Sequence, residues 1–124
     1  MAATPQSRRL VNRTRGTVVA RDIRLARGLW DQFLGAMGMR MVAAGSALGL
    51  APCDWVHTFF VRGPLDLAYC DRAGRVLRIE AACPPWRVGP RVRGAYVVWE
   101  AAANGLLGAV APGDVLAVEE GPKV

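Results

Sequence analysis

The chain has 124 residues, 52% hydrophobic and 21% charged, enough for one hydrophobic core, too short for two, and too apolar for a disordered polypeptide. No apolar run reaches the ~20 residues that a membrane-spanning helix needs. The net charge of +6 is uneven: residues 1–40 carry eight arginines against Asp22 and Asp31, while residues 41–124 hold eight basic and eight acidic residues. Charge of this kind bears on solubility and association before fold, so attraction to nucleic acid or to an acidic partner should begin in the N-terminal third.

Residues 1–9 read as a disordered basic tail and 10–120 as a single domain. Ser7-Arg8-Arg9 hints at a twin-arginine export signal, but Arg13, Arg15 and Arg21 interrupt the segment where its apolar stretch belongs, so a cytoplasmic location is expected. Leu10–Asn12 and Thr17–Ala20, separated by Gly16, read as an opening hairpin continued by Ile23 and Leu25. Over Ala26–Met37 the period changes. Leu29, Trp30, Phe33, Leu34 and Met37 recur at three and four residues, which predicts an amphipathic helix ended by Gly35 and Gly38.

A short strand at Leu48–Leu50 is followed by strand candidates at Val56–Val61 and Leu65–Cys70, joined across Arg62-Gly63-Pro64. In the second of these, Leu65, Leu67 and Tyr69 should share one face and Asp66, Ala68 and Cys70 the other. Asp71-Arg72-Ala73-Gly74 has the composition of a tight turn and returns the chain into Arg75–Glu80 as a hairpin. Residues 83–94, with three prolines and two glycines, are expected to be irregular. Tyr96–Glu100 is a strand, Asn104–Val110 one short helical turn, and Pro112-Gly113-Asp114 a turn into a last strand at Val115–Glu119. The expected fold class is therefore α+β and β-dominated: a small barrel-like or folded mixed sheet of seven or eight short strands with one main amphipathic helix.

Three blocks carry a resemblance. They are Phe33-Leu34-Gly35-Ala36-Met37-Gly38-Met39-Arg40; His57-Thr58-Phe59-Phe60-Val61-Arg62-Gly63-Pro64-Leu65-Asp66 with Tyr69-Cys70-Asp71 and Gly74-Arg75-Val76; and Val97-Val98-Trp99-Glu100 with Asn104-Gly105, Gly108 and Pro112-Gly113-Asp114-Val115. In order and spacing over about residues 10–119 the chain resembles the family of domain of unknown function 192, small prokaryotic domains. Val61 departs from a methionine frequent in the family and Ala36 from a leucine. The resemblance implies a mostly β domain and supplies no catalytic residues.

Several chemistries can be weighed on the residues alone. Asp66, set between Leu65 and Leu67, needs an arginine, a histidine or amide donors to offset its desolvation, and Arg62 and His57 are the nearest candidates. Cys53, His57, Cys70 and Cys83 make up a Cys₃His ligand set, but no C-x-x-C pair is present and the intervals match no compact zinc motif. The odd number of cysteines is expected as reduced thiols. A Cys53–His57 nucleophile pair fails on spacing, because side chains four residues apart meet on a helix and not along a strand. Neither Ser7 nor Ser46 lies in a G-x-S-x-G elbow, and phosphate-loop signatures are absent. Asp66 and Glu100 are more simply structural acceptors.

The stretch Pro84–Arg93 offers Trp86 with three arginines on a proline-stiffened loop, suited to stacking and to guanidinium contacts with an anion or an acidic peptide. The expected ligand-binding group is His57, Phe60, Arg62, Asp66, Trp86 and Glu100, with no catalytic residue, metal or cofactor. The function expected is a non-catalytic binding or accessory module for a small polar or anionic ligand or an acidic partner peptide. Two alternatives stand beside it: an enzyme with His57 as general acid/base oriented by Asp66, and nucleic-acid association through the basic N-terminal arm.

Overall fold

A computed structural model of the chain describes residues 6–27, 45–57, 63–106 and 109–122. Strand β1 (Gln6–Asn12) turns into β2 (Thr17–Ala20), and the chain continues through β3 (Asp22–Arg27), β4 (Ser46–Ala51), β5 (Leu65–Cys70), β6 (Val76–Cys83), β7 (Val97–Ala102) and β8 (Leu116–Pro122). These make a three-stranded sheet, β2-β1-β8, and a five-stranded sheet, β3-β4-β7-β5-β6. Every pairing is antiparallel except β3 with β4.

This architecture corrects the α+β expectation. The fold is all-β, with eight strands in two sheets, no helix among the described residues and no closed barrel. Ala26 and Arg27, expected to open a helix, instead end β3, where they pair with Leu50 and Ala51 of β4. A register set by a distant strand overrides the local period there, since strand preference depends mostly on the neighbours available. The remainder of the predicted helix, residues 28–37, lies outside the described residues, as do residues 58–62 of the strand expected at Val56–Val61. Of the helical turn expected at Asn104–Val110, residues 107–108 lie outside the described residues, and Val110 N donates to Leu106 O at 3.1 Å.

The first strand also begins earlier than the expected tail boundary. Gln6 pairs with Pro122 and Arg9 with Glu119, so residues 6–9 form the outer part of the β1–β8 ladder. Arg8 faces Glu120 and Arg9 faces Glu119 across the two strands, which gives this polar pair its cross-strand attraction.

The expected hairpin is present, with β5 and β6 joined by residues 71–75. Asp71 Oδ1 accepts from Ala73 N and Arg75 N, each at 2.9 Å. Gly74 takes φ +88°, and a Cβ there would collide with the Leu116 carbonyl. Only glycine meets both conditions.

All six residues of β5 are buried, because both faces of the larger sheet are covered. On one face Ala68, Cys70 and Trp99 pack with Leu10, Ala20 and Leu116 of the smaller sheet, joining the two sheets. On the other, Leu65, Leu67, Tyr69 and Val98 pack under Val56 and Val92, which belong to two loops. Those loops carry the candidate site. No helix among the described residues is long and apolar enough to cross a membrane.

Candidate functional site: a two-loop surface over the sheet

Residues 52–57 and 84–96 run beside one another in opposite directions. Cys53 N donates to Tyr96 O at 2.8 Å, Val92 N to Asp54 O at 2.9 Å and Gly89 N to Val56 O at 2.8 Å, and His57 forms a bridge with Val88. Proline limits this segment to a few backbone bonds, so the loops adhere mainly through Val56 and Val92 seated on the apolar sheet face.

Their outer side is rich in exposed apolar surface. Trp86 and Val88 are each 60% exposed and Trp55 39%, values that set them apart from the buried core. The Arg91 guanidinium stands 5.9 Å from the Trp55 ring centre, with its Nε 3.7 Å from Asp54 Oδ1. Arg87 and Arg93 are exposed on the same loop. The His57 ring lies 6.4 Å from that of Trp55. Trp86 holds φ +63°, a backbone conformation unfavourable for a bulky residue.

Beneath the loops, the register places Leu48, Glu100, Leu67 and Glu80 on one ladder across β4, β7, β5 and β6. Glu100 is fully buried there. Asp66 pairs with Ala101 and therefore points to the opposite face. Its two oxygens accept from Ala82 N at 2.8 Å and Leu106 N at 3.0 Å. The expected group is thus distributed as follows: His57 and Trp86 on the two-loop surface, Glu100 below it on the same side of the sheet, and Asp66 on the far side. Phe60 and Arg62 lie outside the described residues.

Tyr69 was not anticipated as a polar site residue. Its side chain is fully buried, and its hydroxyl has no hydrogen-bond partner among the described residues. A Cβ on Gly89 would lie 2.6 Å from that hydroxyl and 3.2 Å from the Val56 carbonyl oxygen. Burial, reinforced by the nearby Glu80 carboxylate, raises the phenol's proton affinity and keeps it a donor. The alternation of Leu65, Leu67 and Tyr69 marks the face, but nothing local in the sequence reveals that the hydroxyl is left without a partner.

None of the three cysteines is in a disulfide. Burial pushes up both Cys53, whose Sγ donates to Trp55 O at 2.9 Å, and Cys70, which rises to about 12. Thiols so held are protonated at neutral pH and are poor nucleophiles. Among the described residues no three His, Cys, Asp or Glu side chains converge to hold a metal ion.

A second polar cluster has a structural role. Asn12 Nδ2 donates to Asp114 Oδ2 at 2.8 Å and to Ala109 O at 3.0 Å, while Asp114 Oδ2 also accepts from Ala111 N and Arg15 Nε, both at 2.9 Å. These bonds tie the end of β1 and the β1–β2 turn to the approach of β8.

An all-β domain of two sheets with a loop-built surface is the class that these features define. The chain belongs to the family of domain of unknown function 192, described as an uncharacterized ACR, whose model matches residues 10–118. No curated protein matches it. Among solved structures it is similar to a putative transcription regulator from Sinorhizobium meliloti 1021, at 22% identity and a TM-score of 0.72 over 95% of this chain and 97% of that one. It is also similar to a protein of unknown function from Novosphingobium aromaticivorans DSM 12444, at 21% identity and a TM-score of 0.71 over 89% and 82%. At that identity the likeness establishes the fold.

Proposed function

We propose that the chain is a non-catalytic binding module whose two-loop surface takes an acidic peptide segment of a partner protein. The observation that carries this reading is the exposure of Trp86, Val88 and Trp55 on one pair of loops that also presents Arg87, Arg91 and Arg93. Exposed aromatics beside arginines are the composition of interaction hot spots. The arginines outnumber the acids on these loops, where Asp54 is met by Arg91, so the surface complements negative charge.

The two other readings have less support. His57 as a general base needs an orienting carboxylate, and Asp66 points away with both oxygens engaged by backbone N–H groups. In the basic N-terminal region, Arg9 and Arg13 both approach Glu119, and Arg15 holds Asp114. Acidic neighbours at these distances weaken a phosphate-binding field.

Titration with a blocked decapeptide of alternating Glu and Leu, followed by tryptophan fluorescence, tests the proposal. Saturable binding is expected, weakened about tenfold by Trp86→Ala, the loss typical of a hot-spot residue. Arg91→Glu should weaken it further at low salt than at high salt. Absence of binding, or binding indifferent to both substitutions, overturns the reading. Competition by inorganic phosphate as effective as by the peptide itself would show a small-anion site instead.

A further inference from the structure

We infer that the Tyr69 hydroxyl is the buried hydrogen-bond donor of the peptide site, reserved for a main-chain carbonyl of the bound segment. The inference rests on the peptide-binding reading above. Its own ground is the pairing of two groups under one short stretch of loop. The Tyr69 hydroxyl is fully buried on β5, between β7 and β6, with no partner among the described residues. A phenylalanine would fill the same space without that unmet donor. Beside it the Val56 carbonyl accepts from Gly89 N at 2.8 Å. Both lie close to the position that a Cβ on Gly89 would take, 2.6 Å from the hydroxyl and 3.2 Å from the carbonyl oxygen.

Gly89 therefore acts as a strap across one donor and one acceptor, and it satisfies only the acceptor. One extended residue of a partner chain, whose own N–H and C=O point to the same side, supplies both complements, its N–H for Val56 O and its C=O for Tyr69 Oη. Exchange of the strap for a partner's main chain keeps the Val56 bond and adds the Tyr69 bond.

The chemistry of the neighbourhood selects a neutral acceptor. A carboxylate brought to the depth of the phenol would meet first the cost of desolvation and then the charge of Glu80, which Arg78 offsets in part at 2.6 Å. A main-chain carbonyl meets neither obstacle. The acidic side chains of the partner remain outside, where Arg87, Arg91 and Arg93 are exposed. Main-chain bonds at depth with side-chain selection at the rim is a recurring mode of peptide recognition.

The test uses Tyr69→Phe and Gly89→Ala in the full chain with the same Glu–Leu decapeptide. Tyr69→Phe should melt at a higher temperature than the wild type without ligand and bind the peptide about tenfold more weakly, the loss of one hydrogen bond to a buried partner. Gly89→Ala, whose new methyl presses on the hydroxyl, should displace the strap and bind at least as tightly as the wild type. Unchanged affinity in Tyr69→Phe, together with weakened binding in Trp86→Ala, overturns this inference and leaves the surface reading intact. Loss of binding in Gly89→Ala while the protein still melts cooperatively overturns it as well, because the strap would then be part of the site. A wild-type protein that does not bind the peptide overturns both readings.

Discussion

Asp66 and Asp114 are buried carboxylates that serve the backbone. Asp66 links Ala82 N, at the irregular end of β6, to Leu106 N, in the loop after β7, at 2.8 and 3.0 Å. Removal of the acceptor would leave two N–H groups without partners, each costing ~1–3 kcal/mol. Asp114 has a measurable signature in pH. The Asn12 amide, with Ala111 N–H and the Arg15 guanidinium, holds its carboxyl below the usual carboxylate range. A group whose folded-state affinity for protons is depressed contributes stability above the unfolded-state value of ~4 and loses it as pH falls through the lower folded-state value. Asp114→Asn should therefore be less stable than the wild type at pH 7, and the difference should shrink as the pH is lowered below about 4. Urea denaturation across that range measures it, and a difference independent of pH contradicts the assignment.

At the scale of elements, the β5–β6 hairpin depends on a turn that fits β8. Gly74→Ala combines a positive φ with a methyl group against the Leu116 carbonyl, and a loss of about 2 kcal/mol is expected from strain of this kind. Equilibrium unfolding at neutral pH gives the value directly, and a change under ~0.5 kcal/mol would mean that the turn relaxes at little cost. This hairpin was legible in the sequence because its determinants are local: Asp71 caps its own turn, Gly74 supplies the conformation, and alternation assigns Leu67 and Tyr69 to one face. The partners of Asp66 were not legible, since Ala82 and Leu106 lie 16 and 40 residues away. The same holds for Ala26, whose strand pairing is dictated by β4. Of the candidate site, Trp86 and the proline-stiffened loop stood out by composition, whereas the Tyr69–Gly89 contact depends on two segments meeting across the sheet.

Considered as a whole, the molecule has its N-terminal arginines built into a sheet. β1 is the middle strand of β2-β1-β8 and sends Leu10 into the shared core. Deletion of residues 1–12 should therefore abolish cooperative thermal unfolding, as followed by circular dichroism, whereas a dispensable arm would leave the transition unchanged. Any measurement of the arm's affinity for other molecules is best made by charge substitution, since truncation would remove the central strand.

The β1–β8 ladder also shapes how the protein is made. Arg9 and Glu119 stand 110 residues apart in the chain, and contacts so distant in sequence are the slow ones to form. During synthesis at ~5–20 residues per second, β1 can find β2 at once, but its other edge waits on the order of ten seconds for β8. The smaller sheet is thus completed last, and in that interval an exposed edge on the nascent chain is open to pairing with another molecule.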